Sequence, residues 1–569
     1  MFAYLKYKKT IAAKQKERAD RIAELMPVYG TPLTADEVQV FGTPVAELVA
    51  DVHKGVVKPI DVLHAYGKRA LKAQENTNCL TEIMFKDAEK QAEVCNTHGS
   101  LAGLPISFKD TVSIKGYDCT LGIAMHAFKP LQNDAPLVRL LKDAGALPYC
   151  KTNIPMTLLS YESYNNIWGR TENPHVKGYT PGGSSGGEAA LLAYGGGRVG
   201  MGTDVAGSVR VPSHFAGCYT VRSSFGRIPR AGNSTPTRGQ DVYVRARFAS
   251  VWLLIVNTTS YSPMTRCFDD LEYVFKSIID MKPWEYDYTV HPIPWREVTL
   301  PKKLKIGVMY SDGIVDPSPA CARALQLTVD ALAKQGHEIV TFTPPSPVDA
   351  LRIATQLIVA DAGRVATSQI AWCEPYDKGV TKFLRIARLP RFVKKIWAWL
   401  YLKIKGDTVI ASLLSNWNEK TMPEQMGLVW EREGYRAQYF NAWKTSGIDF
   451  LITAPNATPA LPHDGMFQSF ASIGYAVMFN LVDYSSGVIP VTKVDRDLDV
   501  LPAAFNLDKL NYVAKGAYRN YNAERMHGLP VGVQIVGQRL EEEKVLKMMA
   551  LTISALRDIG IEYELLNEV

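Results

Sequence analysis

A tract rich in glycine and serine, residues 178–226, carries most of the residues whose types and spacing could perform chemistry. The segment GGSSG around Ser184 and Ser185 satisfies GxSxG, the pattern of a serine nucleophile on a sharp turn after a buried strand. The residues before it, NPHVKGYTP, are polar and interrupted by proline. A Ser-His-Asp lipase or esterase is therefore an alternative with weak support.

The same tract satisfies the dinucleotide-binding pattern GxGxxG at Gly195, Gly197 and Gly200. That pattern requires a strand before it and a helix after it, whereas AALLAY precedes it here and MGTDVAGS follows. The eight cysteines are scattered, with no CxxC and no Cys/His cluster at metal spacing. We therefore expect no nucleotide cofactor, no metal ion, and thiols that stay reduced inside the cell.

The elements that must position this tract alternate between strands and helices. In residues 104–109, Ile106 and Phe108 alternate with Ser107 and Lys109, which predicts a strand with Lys109 at its end. Further strands are predicted at 146–150, 303–310, 337–342, 449–455 and 530–537. Helices are predicted at 1–25, 44–53, 59–76, 136–143, 320–335 and 540–557. This alternation favours one large α/β domain.

Composition is that of an ordinary globular protein. The chain has 569 residues, of which 47% are hydrophobic and 21% are charged, so disordered, collagen-like and multi-span membrane classes are excluded. The first residues, MFAYLKYKKTIAAKQKERADRIAELM, are too polar for a signal peptide. We therefore expect a cytoplasmic protein, with no nucleic acid as a partner.

The segment 182–213, GGSSGGEAALLAYGGGRVGMGTDVAGSVRVPS, resembles the signature of the amidase signature family over its whole length. GLPISFKD, KTNIP, GRTENP, GRIPRAG and HGLPVGVQIVG are similar to the family's other conserved segments. The likeness is greatest to fungal acetamidases or general amidases and to fatty acid amide hydrolases. It implies a mixed, twisted β-sheet covered by helices on both faces. We divide the chain into an N-terminal helical segment, 1–76, and an amidase domain, 77–569, with its signature core at 103–232.

Amide hydrolysis requires a nucleophile, a base, an acid for the amine and hydrogen-bond donors for the oxyanion. The resemblance implies that Ser208 is the nucleophile, that Ser184 relays its proton and that Lys109 accepts it. It also implies a cis peptide bond between Gly183 and Ser184. Because no histidine is then required, we expect structural roles for the three histidines near these segments, His126, His175 and His214.

The resemblance also assigns residues around the reacting atoms. The oxyanion hole corresponds to the backbone N–H groups of Val205, Ala206, Gly207 and Ser208, with Ser184 and Leu158 beside the substrate. Many relatives carry glycine where Ala206 stands. Supporting positions correspond to Ser185, Thr203, Asp204 and Arg210. For the last two, we expect a structural ion pair rather than a direct part in catalysis.

Residues 382–405 contain eight lysines and arginines and no acid, which accounts for the whole net charge of +7. Within them, aromatic and aliphatic residues alternate with Lys394, Lys395, Lys403 and Lys405, a pattern typical of an interfacial helix. Fatty acid amide hydrolases have a comparable membrane-binding segment. Peripheral membrane contact and a helix packed on the core or between two copies of a homodimer are the alternatives.

We therefore expect a serine amidohydrolase that acts on a small-molecule amide without a cofactor. A fatty acid amide or an N-acylethanolamine is one substrate class, and a small amide, as in acetamidases, is the other. A non-catalytic membrane-associated scaffold and an ammonia-supplying amidotransferase subunit are further alternatives. Residues 241–262 depart from the family's pattern and indicate an insertion or an altered gene model.

Overall fold

The structure, a computed structural model, describes residues 2–232 and 260–566. Its strands are β1 (Leu80–Ile83), β2 (Pro105–Lys109), β3 (Leu147–Thr152), β4 (Tyr164–Asn165), β5 (Gly169–Arg170), β6 (Val199–Asp204), β7 (Tyr219–Arg222), β8 (Ser260–Thr265), β9 (Lys305–Met309), β10 (Glu338–Thr341), β11 (Phe450–Thr453), β12 (Ser486–Lys493) and β13 (Pro530–Val536).

The helices surround these strands along the chain. They are α1 (Phe2–Tyr29), α2 (Ala35–Gly42), α3 (Val45–His53), α4 (Pro59–Thr77), α5 (Phe85–Val94), α6 (Pro136–Asp143), α7 (Gly186–Tyr194), α8 (Arg210–Ala216), α9 (Phe268–Asp280), α10 (Pro319–Lys334), α11 (Pro347–Ile358), α12 (Arg364–Thr367), α13 (Lys378–Arg388), α14 (Arg391–Lys405), α15 (Thr408–Asn416), α16 (Met422–Ser446), α17 (Met466–Ser469), α18 (Gly474–Val482), α19 (Tyr512–Tyr518), α20 (Ala523–Met526) and α21 (Glu542–Asp558).

A mixed sheet of eleven strands, in the order β1-β3-β2-β6-β8-β7-β12-β13-β11-β9-β10, organises these elements. Strands β3, β2 and β6 are parallel to one another, as are β11, β9 and β10, and the strands between the two groups are antiparallel. Because the carboxyl ends of parallel strands meet at one edge, Lys109 at the end of β2 comes close to the end of β6.

Both faces of the sheet are covered. Every residue of β2, β3, β6, β8 and β13 is buried, which requires a packed layer on each side. Residues of helices α3 and α4, such as Val45 and Tyr66, belong to the same hydrophobic core as Ile535 of β13. The expected single α/β domain is confirmed. The boundary after residue 76 stays a prediction.

The elements predicted from periodicity are found within a few residues of their expected bounds. The helix predicted at 136–143 is α6, and the strand predicted at 104–109 is β2. Of the departing stretch 241–262, residues 241–259 lie outside the described residues. Its last three residues begin β8, which pairs with β6 in the middle of the sheet.

Helix α1 is fixed to the sheet by a buried ion cluster. Lys14, 3% exposed, places Nζ 2.7 Å from Glu82 of β1, 2.8 Å from Asp118 and 2.8 Å from Glu17. Burial alone would lower the pKa of Lys14, but the carboxylates outweigh it and raise that pKa above its usual value. The N-terminal helix is thereby tied to the body of the molecule.

The basic stretch 382–405 forms α13 and α14, and one prediction about it is wrong. Lys394 is not on the surface: its Nζ donates to the carbonyl oxygens of Ala387, at 2.7 Å, and Trp417, at 2.6 Å. Burial lowers its pKa to about 8, and the positive charges of Arg391 and Lys420 act in the same direction. Lys395, Lys403 and Lys405 are exposed, as predicted.

Candidate active site

Lys109 and Ser184 meet at the carboxyl end of β2. Lys109 is completely buried, and its Nζ donates to Ser184 Oγ at 2.6 Å. The same nitrogen donates to the hydroxyl of Thr203 at 2.8 Å and to its carbonyl oxygen at 3.3 Å. The Gly183–Ser184 peptide bond is cis, as predicted. The structure thus brings together two of the three residues expected to react.

Burial lowers the pKa of Lys109 to about 7, and the negative charges of Asp204 and Glu188 oppose this effect. A lysine with its ordinary pKa of about 10.4 would be protonated almost completely at neutral pH and could not accept a proton. At a pKa of about 7, a large fraction of Lys109 is the neutral amine. The site therefore holds a group that is able to act as a base near neutral pH.

Ser208 lies on the loop that joins β6 to α8. The backbone N–H of Ser185 donates to its carbonyl oxygen at 3.1 Å, which holds the two serine-bearing loops side by side. Within the part of the chain that the structure describes, no side chain or backbone group hydrogen-bonds to the Ser208 hydroxyl. Ser208 is 8% exposed and lines a cavity, so its oxygen is open to a small molecule.

The loop before Ser208 is organised by the carboxylate of Asp204. Oδ1 accepts from the backbone N–H of Gly207 at 2.9 Å, and Oδ2 accepts from that of Val209 at 3.2 Å. Gly207 has φ +100°, and a Cβ there would lie 2.5 Å from Ala476 Cβ, so this position requires glycine. Ala206 is outside the left-handed region, which explains why alanine is tolerated there.

Asp204 and Arg210 form the predicted buried ion pair, with Nη2 and Oδ1 3.0 Å apart. Burial alone would raise the pKa of Asp204, but the guanidinium of Arg210 holds it well below the usual range. Arg210 also donates to Gln534 at 2.8 Å, and Asn480 donates to Asp204 at 2.8 Å. Sequence reasoning missed Asn480 and Gln534, which lie more than 260 residues further along the chain.

The other predicted positions surround the same centre. Thr203 accepts from Lys109, and Ser185 Oγ donates to the carbonyl oxygen of Thr203 at 3.4 Å. Leu158 lies in a short turn with φ +62° and lines the cavity beside Ser208. Val205 and Ala206 line the same cavity, whereas the Gly207 N–H is already directed at Asp204. Within the described ranges, three of the four expected oxyanion donors therefore have no acceptor: Val205, Ala206 and Ser208.

The cavity at Ser208 has a volume of about 110 Å³ and is mostly apolar. Beyond the serine it is lined by residues of α11, α13 and the segment around α17: Ile358, Val359, Phe383, Met466, Phe470 and Ile473. Few polar groups lie along it, which suits an apolar group bound next to the reacting carbon. A larger concavity of about 950 Å³, lined by α1, α4 and Tyr194, contains none of the predicted site residues.

The three histidines near these segments have structural partners. The ring of His214 accepts from the backbone N–H of Gly532 at 2.9 Å and contacts the Thr458 carbonyl at 3.2 Å. His175 contacts the carbonyl of Ala216 at 3.0 Å, and burial lowers the pKa of both rings to about 4. His126 bonds to the side chain of Gln369. Ser184 has a lysine where a lipase triad would have histidine.

One further buried carboxyl group lies beside Lys109. Glu188, in the first turn of α7, is completely buried and accepts from Ser107 Oγ at 2.6 Å and from Thr152 Oγ1 at 2.9 Å. It is not among the residues predicted from the sequence, although a lone acid in the apolar run GGEAALLAY was a signal. In residues 2–232 and 260–566, no group of three or more His, Cys, Asp or Glu side chains has the arrangement of a metal site.

The chain that forms this site is similar to proteins of known family. The amidase family model matches residues 61–546, which include β2, α7, β6 and α8. An acetamidase of Emericella nidulans is 32% identical over 538 residues, covering 90% of this chain and 89% of that protein. Fatty-acid amide hydrolase 1 of Sus scrofa is 29% identical over 551 residues, covering 94% and 90%. A solved fatty acid amide hydrolase has a TM-score of 0.80 at 26% identity, covering 92% of this chain and 87% of that one.

Proposed function

Because this chain belongs to the amidase signature family and is a hydrolase of amide C–N bonds, we propose that it cleaves its substrate through an acyl-enzyme on Ser208. Ser184 relays the proton of Ser208, and Lys109 accepts it. The observation that carries this proposal is the buried contact of 2.6 Å between Lys109 Nζ and Ser184 Oγ, beside a loop that presents Ser208 to an apolar cavity.

Each proton has a stated destination in this mechanism. As the Ser208 oxygen attacks the carbonyl carbon, its proton passes to Ser184 Oγ, and the proton of Ser184 passes to the neutral amine of Lys109. When the C–N bond breaks, Ser184 gives a proton to the leaving nitrogen and regains one from protonated Lys109, and an ester on Ser208 remains. Water then attacks this ester by the same proton route and releases the acid.

Backbone N–H groups stabilise the negative oxygen that forms during attack. We assign this role to Val205, Ala206 and Ser208, whose N–H groups have no acceptor within the described residues. Gly207 holds the loop in shape through Asp204 instead. Each such donor contributes about 3 to 4 kcal/mol of transition-state stabilisation in serine hydrolases. Leu158 and Tyr161 line the cavity beside this hole.

We propose an acyl amide with an extended apolar acyl group as the substrate class. The cavity at Ser208 runs between apolar side chains of α11 and α13, among them Ile358 and Phe383. A fatty acid amide or an N-acylethanolamine would place its alkyl chain there. The alternative is a small amide, as the name acetamidase indicates for one relative, and the cavity volume of about 110 Å³ favours it.

Helix α14 supports the proposed substrate class, an amide with a lipid-like acyl chain. It follows α13, which lines the cavity, and it exposes Phe392 (66%), Trp399 (58%) and Ile404 (71%) among exposed lysines. Among the helices of the described ranges, none combines the length and the apolar composition that a bilayer crossing requires. We propose that α14 docks on an anionic membrane surface, where lipid-like amides are concentrated.

Covalent labelling tests the assignment of the nucleophile. A fluorophosphonate probe should modify one residue, Ser208, and peptide mapping should recover the adduct there. Ser208→Ala should abolish labelling, whereas Ser185→Ala should retain it. An adduct on Ser184 or Ser185 of the wild-type protein would overturn the mechanism.

A hydrolysis screen of primary amides graded by acyl length tests the substrate class. If the proposal holds, kcat/KM should rise with each added pair of methylene groups, because each buried CH₂ contributes about 0.8 kcal/mol. A maximum at acetamide, with falling values for longer chains, would instead assign the protein to the small-amide class.

A further inference from the structure

The carboxyl group of Glu188 lies in a buried site that provides hydrogen-bond donors and room for it. Its two carboxylate oxygens are held by hydroxyl groups of two neighbouring strands, Ser107 of β2 and Thr152 of β3. Gly200 of β6 leaves the necessary room, because a Cβ at that position would lie 2.1 Å from Glu188 Oε2 and 2.6 Å from Ser107 Oγ. Three adjacent strands therefore contribute to the site.

Strand register places this site at Lys109. Side chains two residues apart on a strand point to the same face, so Ser107 and Lys109 share one face of β2. Thr152 is the residue of β3 that pairs with Lys109. Glu188 thus lies against the same patch of sheet as the Lys109 side chain, one helical turn after Ser184 and Ser185.

Lys109 is the group around Glu188 that can change its charge near neutral pH. Burial raises the pKa values of the thiols and the phenol that face Glu188, so these groups stay neutral: Cys79, Tyr149, Cys150 and Cys218. Lys109 also faces Asp204, but Arg210 keeps that carboxylate ionised at all working pH values. Burial raises the pKa of Glu188 itself to about 8, close to that of Lys109.

We propose that Glu188 is a positioning residue for amide hydrolysis, coupled to Lys109 so that the two groups bind and release protons as a pair. The cation that Lys109 becomes on accepting the serine proton is then stabilised by the Glu188 carboxylate. Ser107 and Thr152 fix the distance between the two groups. This inference rests on the proposed role of Lys109 as the base.

The sign of the expected effect follows from the charge. In the fraction of molecules in which Glu188 is ionised, its charge favours protonated Lys109, so Glu188→Gln should keep Lys109 neutral down to lower pH. The acid limb of kcat/KM against pH should then move down by a few tenths of a unit to about one pH unit, because the lost counter-charge is only partly ionised in this range. At the same time kcat should fall by about tenfold, because the lysine cation formed during acylation loses its counter-charge.

The experiment measures amide hydrolysis from acidic to alkaline pH for the wild-type enzyme, Glu188→Gln, Ser107→Ala and Thr152→Val. The two hydroxyl variants keep the carboxyl group but remove one donor each, so the acid limb should shift in the same direction by less. They also supply the test if Glu188→Gln does not fold. Acid limbs that coincide with the wild type in every folded variant would overturn the inference.

The control variant Lys109→Ala separates this inference from the proposed function. If Lys109→Ala retains wild-type amidase activity, the role of Lys109 as base fails, and the coupling fails with it. If Lys109→Ala is inactive and the Glu188→Gln profile does not shift, only the coupling is wrong. A uniform loss of activity across the pH range in Glu188→Gln would assign a merely structural role to Glu188.

Discussion

At the scale of single residues, the proposed mechanism depends on keeping a lysine without charge. Among the described residues, no carboxylate is in hydrogen-bond contact with Lys109, and its partners there are the hydroxyl groups of Ser184 and Thr203 and the carbonyl oxygen of Thr203. These groups solvate an amine but compensate a cation poorly, so burial dominates and the pKa falls to about 7. The same amine can then both accept and return a proton at neutral pH.

Removal of this amine should affect amides more than esters. Lys109→Ala should reduce kcat/KM for an amide by about 10³-fold, within the usual range for a general acid–base group, because the leaving nitrogen must be protonated. The loss for the ester of the same acid should be at least about tenfold smaller, since an alkoxide leaves more easily. Parallel assays of matched amide and ester substrates measure both values.

Lys115→Ala is the control, since it removes an exposed lysine six residues further along the chain. It should change neither activity by more than about twofold, as expected for a surface substitution. Equal losses for amide and ester in Lys109→Ala would indicate that Lys109 supports the site only structurally.

At the scale of elements, α14 is unusual because most of its large apolar side chains are exposed. Ala398 and Lys394 are its buried residues, whereas Phe392, Ile396 and Trp399 face solvent. Because most of this apolar surface is not covered by the core, it requires another explanation. The helix follows α13, whose Phe383 lines the cavity at Ser208, and its buried Lys394 donates to the carbonyl oxygen of Trp417, which lines the same cavity.

Charge reversal on α14 should separate membrane binding from catalysis. The triple variant Lys395→Glu, Lys403→Glu and Lys405→Glu should bind vesicles with anionic headgroups more weakly, because each basic residue near such a surface contributes about 1 kcal/mol. Lys394 is left unchanged because it is buried. Vesicle sedimentation at low and high salt measures binding, and long-chain amide hydrolysis on the same vesicles should slow.

Hydrolysis of acetamide should remain unchanged in this variant, since a small soluble substrate does not need the membrane. Reversal of three exposed lysines elsewhere, Lys302, Lys303 and Lys334, gives the same net charge and should leave vesicle binding intact. If the α14 variant unfolds, or loses short and long substrates alike, the helix serves the core or a contact between subunits.

At the scale of the whole molecule, the N-terminal helix and the sheet form one unit. The ammonium of Lys14 is shared by Glu82 and Asp118, both nearly inaccessible, and by Glu17 of its own helix. Removing one member of such a buried cluster leaves uncompensated charges and costs about 3 to 5 kcal/mol. Lys14→Met should therefore lower the free energy of unfolding by about this amount.

Urea unfolding followed by tryptophan fluorescence and by circular dichroism tests this prediction. Lys16→Met, which removes a lysine that is exposed on the same helix, is the matched control and should change stability by less than about 1 kcal/mol. Both signals should shift together in Lys14→Met. A separate early transition would show that residues 1–76 unfold as an independent unit.

The local sequence pattern was enough to predict many of the helices and strands and the type of reaction. Period-two alternation predicted β2 with Lys109 at its end, and helical periodicity predicted α6 and the first helices, because these signals depend on residues close in the chain. The signature-like spacing from Ser184 to Ser208 indicated the reaction, and the family match supports it.

Only the tertiary structure decided which groups surround those residues. Asn480 and Gln534 reach the Asp204–Arg210 pair from α18 and β13, and Glu188 gains its role only where β2, β3 and β6 pack side by side. Lys394 belongs to a basic run in the sequence but is buried in the fold. Such contacts join residues that are far apart in the chain, so local periodicity does not predict them. The burial and the electrostatic surroundings of a residue also depend on every element packed around it.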